Sequence, residues 1–64
     1  MRYFMMIGSD VELAHEEAVM AKATGSVGGT ATVQDIRGNI LRSATVWRED
    51  SIPEEVVSME EVII

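Results

Sequence analysis

The sequence predicts an α+β domain: a small sheet containing a β-hairpin, with helices covering it, in the order β-α-β-β-α. Three observations lead there. Two runs rich in β-branched residues between Gly29 and Trp47 flank Asp35-Ile36-Arg37-Gly38-Asn39, a hairpin signal. An Ala-rich run, Val11 to Ala23, has a helix start signal before it and a glycine after it. A short apolar stretch precedes that run and ends at Gly8.

The 64 residues read as a single domain, with a β-α-β-β unit over 1–48 and a C-terminal amphipathic segment over 51–64. A chain this short buries only ~60% of its unfolded surface, so its core is marginal. Nearly half of the residues are apolar (47%), too many for a disordered chain. There is no cysteine, so neither a disulfide nor a thiolate-bound metal can reinforce the fold. Stability then has to come from packing, within the chain or against another one. The lack of cysteine fits a cytoplasmic protein. The apolar run Tyr3 to Ile7 is too short for a signal-peptide core, and no run approaches the ~20 apolar residues that span a bilayer.

The first element, residues 2–8, reads as a strand. Tyr3, Met5 and Ile7 would point one way and Phe4 and Met6 the other, so both faces are apolar and both need cover. Ser9 and Glu12 form a Ser-x-x-Glu capping box, Asp10 adds negative charge at the helix start, and Gly25 suits the left-handed position after the end. At 100° per residue Val11, Ala14, Ala18 and Ala21 make a small-residue stripe, and Leu13 and Met20 make a separate ridge. Gly25-Ser26-Val27-Gly28-Gly29 reads as a plain connector. It runs from helix to strand and lacks the Lys-Ser/Thr of a phosphate loop.

In the hairpin a three-residue loop, Ile36-Arg37-Gly38, is expected, with a type I turn opened by Asp35 and Gly38 in the left-handed bulge position. It pairs Val33 with Leu41 and Ala31 with Ser43. The competing Gly38-Asn39 turn pairs Val33 with Ala44. The Thr and Ser side chains suggest that one hairpin face is wet. In the tail, Ser51-Ile52-Pro53-Glu54 reads as a second capping box, and Ile52, Val56, Met59 and Ile63 fall on one helical face with Glu54, Glu55, Glu60 and Glu61 around it. A helix is therefore expected over the tail, with a strand as the alternative because β-branched residues are frequent there.

The chemistry is sparse. His15 is the only histidine, and Val19 stands where a zinc-protease helix would carry the second one. A lone histidine with scattered carboxylates is a poor metal set, so neither a metal nor a cofactor is expected. No cysteine nucleophile and no serine elbow exist. Adjacent glutamates on a helix point about 100° apart, poor geometry for a catalytic dyad. No enzyme is expected.

Eleven acidic side chains against five basic ones give a net charge of −6, and Arg2, Lys22, Arg37, Arg42 and Arg48 are dispersed. That argues against direct nucleic-acid binding and against anionic membranes. It suits a protein partner that is itself basic and nucleic-acid-binding. The residues expected to meet such a partner are Glu54, Glu55, Glu60 and Glu61, with Arg37, Arg42 and Trp47 as a second group on the hairpin. Five methionines suit a surface that repacks on binding, and tryptophan is enriched among interface anchors.

The short strand, single helix and hairpin with an Asp-x-x-Gly turn, Arg2 to Trp47, resemble the layout of small phage and mobile-element inhibitor proteins of the anti-CRISPR type. The resemblance implies stoichiometric inhibition by occupying a partner's surface, with a nucleic-acid-binding complex such as a CRISPR effector as the partner. It transfers no residue roles. Two other readings stand beside it: a structural or assembly protein acting as a homo-oligomer, with a homodimer as the simplest case, and an acidic antitoxin-like regulator.

Overall fold

A computed structural model describes residues 1–64. The elements are β1 (Tyr3–Met6), α1 (Val11–Thr24), β2 (Gly28–Gln34), β3 (Ile40–Arg48) and β4 (Met59–Val62). The four strands form one sheet in the order β2-β3-β1-β4, and every neighbouring pair is antiparallel. The α+β class stands. The element order is β-α-β-β-β, so the expected second helix is replaced by a strand.

The core lies between α1 and one face of the sheet. Tyr3, Met5, Ala44, Val46 and Val62 meet Leu13, Ala14, Ala18 and Ala21 there. Val46 is fully buried at the centre. The Ala stripe lets the helix sit close on the strands, and Ala14 and Ala18 have no exposed surface. Leu13 joins this stripe and Val11 leaves it, 67% exposed, which corrects the expected set. At 100° per residue Leu13, Ala14, Ala18 and Ala21 span an arc of about 140°, with Val11 at its margin. Met20, expected to share a ridge with Leu13, is exposed.

The helix cap is also shifted by one residue. Asp10, in extended conformation, is the N-cap, and its side chain accepts from the Leu13 N–H at 3.0 Å. Ser9 is spent elsewhere: its hydroxyl accepts from the Thr45 N–H at 3.1 Å, and the Asp10 N–H donates to the Ser43 carbonyl at 2.8 Å. Ser9 and Asp10 thus satisfy β3 groups beyond the end of β1. At the other end Gly25 adopts φ +74°, the expected left-handed cap. β1 is shorter than expected, because the chain turns after Met6 with the Ser9 N–H donating to the Met6 carbonyl.

The hairpin loop is the expected three-residue one. The Gly38 N–H donates to the Asp35 carbonyl at 3.0 Å, Gly38 has φ +85°, and the Asp35 carboxylate accepts from the N–H groups of Arg37 and Asn39. The register beyond it differs from both expected pairings. Gln34 pairs with Ile40, but after an irregularity between Val33 and Gln34 the pairs are Val33 with Arg42 and Ala31 with Ala44. A one-residue shift moves side chains to the other face. Without it Ser43 would stand on the helix side and Ala44 and Val46 in solvent. The extra residue brings Ala44 and Val46 under α1.

The tail contradicts the expected helix over 51–64. Ser51-Ile52-Pro53-Glu54 yields only a turn, in which the Val56 N–H donates to the Pro53 carbonyl at 3.0 Å. Met59–Val62 then pairs with β1, Tyr3 opposite Val62 and Met6 opposite Met59. Pairing β1 along its second edge and seating Val62 in the core outweigh the capping signal. The β-branched Val56, Val57, Val62, Ile63 and Ile64 weaken the helical alternative.

Candidate functional site: the open face of the sheet

With a single helix, only one side of the sheet is covered. Alternation along the strands assigns Phe4 and Met6 of β1, Ser43, Thr45 and Trp47 of β3, Thr30 and Thr32 of β2, and Met59 and Glu61 of β4 to the other side. Phe4 stands directly opposite Trp47 on one side and Glu61 on the other, and Met6 opposite Met59. Phe4, Trp47 and Met59 are half-buried, and Met6 is 46% exposed. The β2 side of this face is the wet one, where Thr30 and Thr45 share a hydroxyl hydrogen bond at 3.1 Å. The face therefore grades from a threonine strip to an aromatic and methionine cluster bordered by acid.

Arg2 sits over that cluster. Its guanidinium lies 5.2 Å from the Phe4 ring centre and 3.3 and 3.5 Å from carboxylate oxygens of Glu49 and Glu61. Hydrogen bonds from the Arg2 backbone and side chain hold the Glu49 carboxyl below the usual range.

The seven residues singled out in the sequence are dispersed over the molecule. Trp47 lies in the open face. Glu61 borders it, while Glu60, next in the strand, points to the helix side opposite Met5. Glu54 and Glu55 occupy the exposed turn before β4. The four glutamates thus trace the β4 edge and do not ring a helical stripe. Arg37 is at the exposed hairpin tip. Arg42 is committed within the molecule: it donates to both Asp10 oxygens at 2.8 and 3.0 Å and to Glu12 at 2.9 Å. This fork holds the Asp10 carboxyl at about 2, helped by the Leu13 N–H. Arg48 is likewise spent on Asp50 and the Gly25 carbonyl. The hairpin arginines therefore make no free basic patch.

Phe4, Met6 and Met59 were missing from the sequence-derived site. The signal for the first two was present, because an N-terminal strand apolar on both faces needs two covers and the chain supplies one. Met59 was hidden by its placement in a helix. His15 is exposed on α1 and lines a small hollow with Met5, Glu60 and Val62, but no three metal-ligating side chains converge anywhere. No helix is long and apolar enough to cross a membrane. Neither a family model, nor a curated protein, nor a solved structure matches the chain.

Proposed function

We infer that this is a non-enzymatic binding protein that masks a protein partner through the open sheet face. The observation that carries this reading is the cluster of Phe4, Trp47, Met6 and Met59 on the sheet face turned away from α1, half-buried except for the exposed Met6. Aromatic and methionine side chains are the ones that supply contact area and adapt to a partner. The acidic β4 edge beside it and the net charge of −6 select a basic partner. A nucleic-acid-binding complex, in the manner of the anti-CRISPR inhibitors, has that chemistry, and a cytoplasmic site of action goes with it.

The test uses the immobilised full chain against a host extract, with two variants alongside. Met6→Glu places charge in the open face; replacing Glu54, Glu55, Glu60 and Glu61 by glutamine removes the acidic edge. A basic partner held by the wild type, lost with Met6→Glu and associating more slowly with the quadruple variant supports the reading. A partner held equally by all three contradicts it.

A further inference from the structure

We propose that β2 is a self-complementary docking edge, through which two copies of this chain pair antiparallel into one continuous eight-stranded sheet. The two free edges of the sheet differ in kind. The β4 edge is four residues long and carries Glu60 and Glu61, with Glu54 and Glu55 just upstream; short length and charge are what blunt an edge. The β2 edge is seven residues long, and no charged residue or proline occurs from Gly25 to Gln34. In a chain of net charge −6 the β2 strand itself adds no charge between two copies, and the nearest carboxylate is that of Glu17, over Gly29 on the helix face.

The hydrogen-bond pattern identifies which groups are on offer. The Arg48 N–H donates to the Val27 carbonyl, so alternation directs the peptide groups of Gly29, Ala31 and Val33 toward β3 and those of Thr30 and Thr32 outward. The Gly28 N–H is already taken by the Ser26 hydroxyl at 3.1 Å. Alternation carries the outward set to Gln34, so the outward residues Gly28, Thr30, Thr32 and Gln34 are centred on Ala31. A two-fold axis there sets Thr30 against Thr32 of the second copy and Thr32 against Thr30, and each pair exchanges both N–H···O bonds. At the centre of the junction small side chains meet, threonine beside threonine on the open face and alanine beside alanine on the helix face, and Val33 and Gln34 face the glycines Gly29 and Gly28. Gly28 then falls opposite Gln34 of the second copy at each end of the ladder, where its N–H, held by the Ser26 hydroxyl, adds no bond. The pairing leaves the aromatic and methionine cluster uncovered, so it is independent of the reading above.

Sedimentation equilibrium of the full chain over a wide concentration range tests the proposal, with three variants made by chemical synthesis. Thr32→Pro and an N-methylated Thr32 peptide bond both remove an outward N–H that makes no bond within the chain, and proline is tolerated at such edge positions. Met6→Gln changes only the open face. The wild type and Met6→Gln should dimerise alike. Both Thr32 variants should keep the wild-type circular dichroism spectrum and dimerise roughly tenfold or more weakly, since the symmetric contact loses the bond twice. A wild type that stays monomeric at every concentration overturns the proposal. So does a dimer that survives N-methylation, or one lost only with Met6→Gln, which would mean that copies meet through the open face.

Discussion

Asp10 does three jobs, two of them with its carboxylate. It caps α1, it receives the Arg42 fork, and its N–H donates to the Ser43 carbonyl of β3. Its folded pKa of about 2 lies below the ordinary 3.8, so its contribution to stability is complete above about pH 4 and fades as pH falls toward 2. Asp35, lowered by the side chain and backbone of Asn39, shifts in the same direction. Arg42→Gln should move the Asp10 titration, followed by carboxyl NMR, up toward 3.8 and flatten the acid limb of the stability curve. An unmoved titration would remove the fork from the account. Gly28 is the other residue whose identity is enforced. It has φ +102°, and a Cβ there would run into the Val46 carbonyl of the neighbouring strand. Gly28→Ala should therefore destabilise by more than about 1 kcal/mol in denaturant unfolding. The fully buried Val46 should lose roughly 2 kcal/mol on truncation to alanine in the same assay.

Among the elements, those defined by local chemistry were legible in the sequence. The Asp35–Gly38 turn and the Gly25 cap follow from backbone requirements met within a few residues. The features missed depend on distant partners. The strand register turns on whether Ala44 or Ser43 faces α1, a choice made by the helix and not by the loop. The N-cap moved from Ser9 to Asp10 because Ser9 is drawn to the Thr45 N–H. The tail became a strand because β1 had an unfilled edge and a core place for Val62. The site was legible to the extent that Trp47 and Glu61 border one surface. Arg42, which looked free in the sequence, is neutralised by residues 30 and 32 positions away. Since β4 seals β1 and supplies Val62, removing residues 52–64 should destabilise or aggregate the chain. A truncated protein that stays monomeric with an unchanged melting temperature would show β4 to be dispensable.

The whole molecule is a two-layer body, one helix on one sheet, 35 × 26 × 16 Å in extent. Domains of this class bury a sheet face against helices. Here α1 serves one face and leaves Phe4, Met6, Trp47 and Met59 on the other, and the function inferred above rests on that asymmetry. Met5 and Met6 are adjacent in sequence and report on the two faces, 7% and 46% exposed. Methyl NMR of the free chain at low concentration, with a soluble paramagnetic probe, measures both at once. The Met6 methyl should relax strongly with added probe and the Met5 methyl hardly at all. Equal protection of the two would mean that the supposed open face is already covered, and the reverse order would mean that the sheet faces are exchanged; either result contradicts the one-sided fold on which the binding surface depends.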